Sequence, residues 1–259
     1  MPFASLPHES AAAVALMAAI GLIVGSFVTA LSYRLPRGLN FVAGRSRCPA
    51  CGTALGAADL VPVLSWVFAR GRCRHCRAPV AWRYPAIEAV TALMFVGAAL
   101  LAPAWPQSAL LAGIAAVLIA VAVIDLEHGR IPNGLVLGLA LLMVGWRAAA
   151  GASPGDLAAS LGMGAAAWAG LTAVRAAIAA VTRQQVLGAG DAKLMAAAAI
   201  GLPLWPFVVC LGLAGGFAVL FGLAWQAAGR GRQFPFAPSL AAALWLTLAV
   251  PGLSGWLGG

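Results

Sequence analysis

Apolar stretches of bilayer length recur along almost the whole chain, near residues 12–31, 86–102, 109–126, 134–149, 157–180, 192–204, 206–227 and 238–257. Crossing about 30 Å of hydrocarbon takes about 20 residues of helix, and a helix satisfies its own backbone there. The pattern predicts an all-α polytopic membrane protein with about eight transmembrane helices. Composition agrees, with 63% of the 259 residues hydrophobic and 9% charged, against roughly 45–50% and about 25% in soluble domains. The sixth run is short, and Pro203 and Pro206 set its far boundary.

Charge placement predicts the orientation. Arg34, Arg37, Arg45, Arg47, Arg70, Arg72, Arg74, Arg77 and Arg83 crowd the first polar segment, and Arg130, Arg183, Lys193, Arg230 and Arg232 fall in alternate loops after it. The positive-inside rule makes all these loops cytoplasmic. The opposite loops hold Glu9, Asp156 and little cationic charge beyond Arg147, so both termini are expected in the periplasm. No Lys or Arg precedes the first apolar run, so a cleaved signal peptide is not expected there. The net charge of +9 fits basic loops that orient the chain and touch anionic lipid headgroups. Nothing interleaves aromatic and basic residues as a nucleic-acid surface would.

Residues 33–85 form the only polar stretch long enough to be a domain. The expected organisation is therefore a periplasmic tail with the first helix over 1–32, a cytoplasmic loop domain over 33–85, and a membrane domain over 86–259. The loop carries Cys48-Pro49-Ala50-Cys51 and Cys73-Arg74-His75-Cys76, two C-x-x-C pairs with a spacer close to the roughly 15–20 residues of a four-thiolate zinc site. Each pair can clamp one edge of a tetrahedral ion, and Gly52 and Gly71 allow tight turns beside them. Two disulfides are the competing reading, but a cytoplasmic loop keeps its thiols reduced. A closed four-cysteine site has no open position, so a structural Zn²⁺ is expected. His75 reads as a surface residue and Cys210 as a small packing residue inside a span.

Two of only seven acidic residues, Asp125 and Asp191, sit at ends of apolar runs. Carboxylates in membrane segments are costly and mark working sites. If the two approached to about 4 Å at an effective dielectric near 20, ionising both would cost about 4 kcal/mol, enough to leave one protonated. Such a pair holds a water, removes its proton as it attacks a peptide carbonyl, and donates to the developing oxyanion. In Gly188-Ala189-Gly190-Asp191, the glycines let a substrate backbone approach. The plainer alternative is helix capping, which suits Asp191 at the start of its helix but not Asp125, which lies at a C-terminal end where the dipole disfavours an anion. Lys193 is a candidate substrate contact or a headgroup-facing residue, two positions from Asp191 and on another face.

Other classes fit less well. A proton-coupled transporter using Asp125 and Asp191 is the main alternative, and it predicts midplane carboxylates and a repeat between halves. A serine protease built on Ser254 lacks a histidine on the same membrane face, and no H-E-x-x-H zinc motif is present. Gly162 to Ala167 superficially matches a nucleotide-binding glycine pattern, but it lies in an apolar helix with no preceding strand and reads as helix packing.

Taken together, the motifs resemble those of the bacterial type IV prepilin peptidases over nearly the whole chain. The resemblance is carried by Gly25-Ser26-Phe27, Tyr33 to Pro36, Arg45 to Pro49, Pro62 to Trp66, Arg83-Tyr84-Pro85 with Glu88, the G-x-G-D of Gly188 to Asp191, and Phe234 to Pro238. It implies a bacterial inner-membrane aspartic peptidase that removes a basic leader from prepilins or from type II secretion pseudopilins on the cytoplasmic side, with Asp125 and Asp191 as the catalytic pair. Members with the four-cysteine loop also methylate the new N-terminal amine from S-adenosylmethionine, so both activities are expected. Glu88 is a candidate for the methyl-donor site or a helix-start acid beside Arg83. Asn133 and the Ala57 to Asp59 segment depart from the family pattern.

Overall fold

The computed structural model describes residues 10–41, 44–183, 188–231, 233–250 and 252. Helices make up the regular structure: α1 (Ala11–Arg34), α2 (Leu64–Phe68), α3 (Arg83–Leu101), α4 (Trp105–His128), α5 (Asn133–Ala149), α6 (Pro154–Thr182), α7 (Ala189–Gly201), α8 (Leu204–Ala227) and α9 (Ala237–Ala249), with 3₁₀ turns at Leu35–Arg37 and Ala57–Asp59. Every predicted apolar run coincides with a helix, and only the short α2 has no counterpart among them. Among the described residues α1, α3, α4, α6 and α8 are long and apolar enough to cross a membrane. The helices α5, α7 and α9 are shorter, at 17, 13 and 13 residues. Glu9, Arg232, Ser254 and the far end of the last predicted run lie outside the described residues. The chain divides into two compact units, Met1–Leu101 and Ala102–Gly259.

In the first unit, α1 and α3 meet backbone to backbone. A Cβ on Gly21 would stand 2.6 Å from Ala92 Cα, and one on Gly25 would stand 2.7 Å from Glu88 Cα. Two glycines four residues apart thus open one face of α1 to a partner helix, the small-xxx-small geometry of membrane pairs. The loop between the helices folds into two knuckles with one plan. Cys48 N–H donates to Thr53 O (2.9 Å) and Gly52 N–H to Cys48 O (2.8 Å). In the second, Cys73 N–H donates to Ala78 O (2.8 Å) and Arg77 N–H to Cys73 O (3.0 Å). The residue after the second cysteine is left-handed in both, Gly52 at φ 71° and Arg77 at φ 60°. Gly71 belongs instead to the end of α2, where its N–H donates to Trp66 O at 2.8 Å.

In the second unit α4 is the central element, with Leu111, Ile114, Leu118, Val121 and Ile124 fully enclosed. Against it pack α5 and α9, while α7 packs on α5 and α6; Leu139 and Met143 of α5, Leu194 of α7, and Leu240 and Leu244 of α9 are fully enclosed. Gly129, left-handed at φ 59°, ends α4 by donating to Asp125 O at 2.8 Å. Ser153 and Asp156 start α6 as a reciprocal capping pair. Among the described residues of α6 only Gly164 is buried, and a Cβ there would meet Ile200 of α7 at 2.6 Å, whereas nothing lies within 4 Å of one on Gly162, so of the glycine pattern at 162–167 it is Gly164 that serves packing.

Replacing Gly25 with Leu should prise α1 from α3 and cost about 1–3 kcal/mol, read as a lowered thermal midpoint of the purified protein. Gly138→Ala, where nothing lies within 4 Å, should not lower it. Arg77→Gly should relieve the left-handed strain of the second knuckle and stabilise the loop by about 0.5–1 kcal/mol, seen as slower loss of bound metal to a chelator; faster loss would show that the arginine side chain matters more than its backbone.

Candidate functional site

Asp125 continues the buried face of α4, seven residues beyond Leu118 and fourteen beyond Leu111, spacings that return to one side of a helix. The residue is 8% exposed. At the C-terminal end of its own helix a carboxylate is disfavoured, and the compensation comes from elsewhere. The backbone N–H of Ala237, the first residue of α9, donates to Asp125 Oδ2 at 3.1 Å. That N–H is one of the donors a helix start leaves without an intrahelical acceptor, and the positive end of α9 faces the acid.

Asp191 lies in the first turn of α7, and its carboxylate accepts the N–H of Gly188, the N-cap residue. Capping and proximity to the other acid hold together here, because Asp125 and Asp191 stand within electrostatic reach of each other. The two glycines have separate structural reasons. A Cβ on Gly188 would stand 2.6 Å from Asp191 Oδ2, while one on Gly190 would stand 2.9 Å from Ile131 Cβ. Ile131, just past the end of α4, therefore seats the first turn of α7 beside the α4 terminus. Lys193 turns away from Asp191 and its Nζ donates to Asn133 Oδ1 at 2.9 Å. Neither acid occupies the middle of a helix: Asp125 is one turn from the end of α4 and Asp191 is in the first turn of α7.

In the first unit, the Sγ atoms of Cys48, Cys51, Cys73 and Cys76 all lie within 4.8 Å of one another. Cys48 and Cys76 sulfurs are 3.8 Å apart, close to the edge of about 3.8 Å expected for a tetrahedron with bonds of about 2.3 Å. All four are free thiols, as is Cys210, which is fully buried in α8. The knuckles split the thiols: the hydroxyl and then the backbone of Thr53 bring Cys51 down to about 6, and the backbone N–H groups of Cys76 and His75 hold Cys73 below its ordinary value, whereas Cys76, lowered by the Ala78 backbone, is pushed up on balance to about 11 by burial and by the neighbouring sulfurs. This donor set suits a soft tetrahedral metal. His75 is exposed. The Ala57–Asp59 turn braces the second knuckle, with Asp59 Oδ1 3.3 Å from Arg74 Nε.

Glu88 is 8% exposed and does more than start a helix. Its Oε2 accepts the N–H of Val63 at 2.7 Å, and Ser26 of α1 also hydrogen-bonds the carboxylate. Val63 has φ 60° and ψ −53°, and Leu64 N–H donates to Pro62 O at 2.6 Å. This is a γ-turn of the rarer, strained hand, unusual for a β-branched residue. The sequence reading missed this clamp, the Ala237 donor, the Ile131 seat and the left-handed Arg77. Pro238 in the first turn of α9 was the available signal for the Ala237 donor, since proline there marks a helix start with free N–H groups beside it.

A model of the bacterial peptidase A24 N-terminal domain matches residues 19–102, and a model of the type IV leader peptidase family matches residues 112–225. A prepilin leader peptidase/N-methyltransferase of Burkholderia pseudomallei strain K96243 is 36% identical over 93% of this chain and 85% of its own length. The protein of that name in Bacillus subtilis strain 168 is 36% identical over 86% of this chain and 88% of its own. A type 4 prepilin-like proteins leader peptide-processing enzyme of Escherichia coli O78:H11 is 32% identical over 72% of this chain and 76% of its own. No solved structure matches. With paired acids in the second unit, a four-cysteine cluster in the first and relatives aligned across both, this chain belongs to the type IV leader peptidase family.

Proposed function

We propose that the chain removes the basic leader of prepilins or pseudopilins at the cytoplasmic face of the bacterial inner membrane, and then methylates the freed N-terminal amine with S-adenosylmethionine as donor. The carrying observation is the pairing of Asp125 with Asp191 at helix ends, each carboxylate already given a backbone donor. In this reading the pair shares one proton and binds a water. The charged carboxylate takes a proton from that water as its oxygen bonds to the scissile carbonyl carbon, and the protonated acid gives its hydrogen to the carbonyl oxygen. The resulting diol collapses as the C–N bond breaks, with a proton passing to the leaving amine. No covalent enzyme intermediate forms. Gly188 leaves the approach to Asp191 clear, since any side chain there would meet the carboxylate.

Orientation follows from charge. Arg130 and Arg183 follow the α4 and α6 termini, Lys193 lies in the first turn of α7, and Arg230 lies in the loop that leads to the Asp125-binding end of α9. By the positive-inside rule that end faces the cytoplasm. A transporter that carries protons through the bilayer would place its acids deeper. In the first unit, Cys48, Cys51, Cys73 and Cys76 would hold a structural Zn²⁺, which fixes the loop and takes no part in either reaction. For methyl transfer, the amine lone pair forms the N–C bond as the C–S bond of the donor breaks. That electron pair stays on sulfur as a thioether, and the secondary ammonium product releases one proton to water.

Asp125→Asn and Asp191→Asn should each lower leader removal by at least about 10³-fold, the scale of a lost general acid or base. Mass spectrometry of a co-expressed pilin's N-terminus reports cleavage and methylation together, and normal processing by either variant would remove the dyad assignment. Cys48→Ser or Cys76→Ser should release zinc, measured by elemental analysis, and impair methylation more than cleavage; wild-type protein without stoichiometric zinc would overturn the metal assignment.

A further inference from the structure

The first unit contains a cavity of about 360 Å³, within the range of roughly 300–1,000 Å³ for small-molecule sites. One wall is α1 and α3, through Ser26, Tyr84 and Glu88; the other is the loop, through Trp66, Arg72 and Arg74. The inner carboxylate is fixed rather than mobile, because Glu88 is tied to Val63 N–H and to Ser26. The aromatic wall is fixed as well. Trp66 Nε1 donates to Val80 O at 3.0 Å, and its ring lies against Gly71, where a Cβ would stand 2.9 Å away. The strained turn at Val63 is held at this cavity by the same acid, and strain retained in this way marks a built site.

We propose that this cavity binds the sulfonium methyl donor, with Glu88 as counter-charge to the sulfur, Trp66 as the flat wall for the nucleoside base, and Arg72 facing the donor's carboxylate, Arg74 being held by Asp59. This deepens the methyl-transfer reading above and rests on it. The residues fit the chemistry of the group. A sulfonium is a cation without hydrogen-bond donors, so a desolvated carboxylate and aromatic faces are its available partners. The positive charge leaves the sulfur as the methyl moves, so the acid that favours the donor does not retain the thioether product.

Equilibrium binding of S-adenosylmethionine and of its neutral thioether, S-adenosylhomocysteine, to the purified full-length protein tests the assignment. Wild type should prefer the sulfonium. Glu88→Gln keeps an amide oxygen for Val63 N–H, so the loop stays in place; it should weaken sulfonium binding by roughly tenfold or more while thioether binding changes by less than about threefold. Retained thioether binding is also the check that the variant is folded. Trp66→Leu should weaken both ligands. An unchanged preference for the sulfonium in Glu88→Gln would overturn the role of the acid, and wild-type affinity for both ligands in Trp66→Leu would overturn the cavity. Methylated pilin from variants of both kinds at the wild-type level would place the donor elsewhere while leaving methyl transfer intact. Unmethylated pilin from the wild-type chain would instead defeat the methyl-transfer reading itself.

Discussion

A carboxylate among apolar helices needs donors that water no longer supplies, and in the second unit helix starts provide them. The Ala237 N–H to Asp125 bond ties the end of α4 to the beginning of α9, and the Gly188 N–H to Asp191 bond ties the second acid to the beginning of α7. Each bond answers two needs. A helix start has amide groups with no acceptor of their own, and each buried acid needs a donor to replace water. The central position of α4 follows, because its buried face must carry Asp125 to the meeting point of these elements.

The same economy of small residues positions the acids. Gly190 admits Ile131 and Gly188 admits the Asp191 carboxylate, so the G-x-G spacing seats α7 at the α4 terminus and frees the acid at once. Capping and catalysis, which look like rival explanations of Asp191 along the chain, are compatible in space.

In the first unit, close approach is again the organising constraint. Gly21 and Gly25 let α3 lie against the backbone of α1, which brings Glu88 beside Ser26 and within reach of Val63. The loop is held from two sides, by this acid and by the backbone hydrogen bonds of the knuckles that carry the four cysteines. A segment with little apolar core of its own gains its definition from these polar links.

Helix positions, the membrane solvent, the cysteine quartet and two acids set apart at the ends of apolar runs were legible along the chain. Each depends on local quantities: run length, hydropathy, C-x-x-C spacing, and the cost of an acid in an apolar segment. The turn glycine of the second knuckle was not legible, because backbone hydrogen bonding put Arg77 in the left-handed position and left Gly71 to end α2. Nor was the shared unit of α1 and α3, since hydropathy records that a helix meets lipid and says nothing of which helix it touches. Sequence determined which groups are present and roughly where along each helix they stand. Tertiary structure alone decided that α9 would supply the donor for Asp125, and that Glu88 would hold a strained turn rather than merely begin a helix. These are contacts across 112 and 25 residues of chain, set by packing that no local pattern encodes.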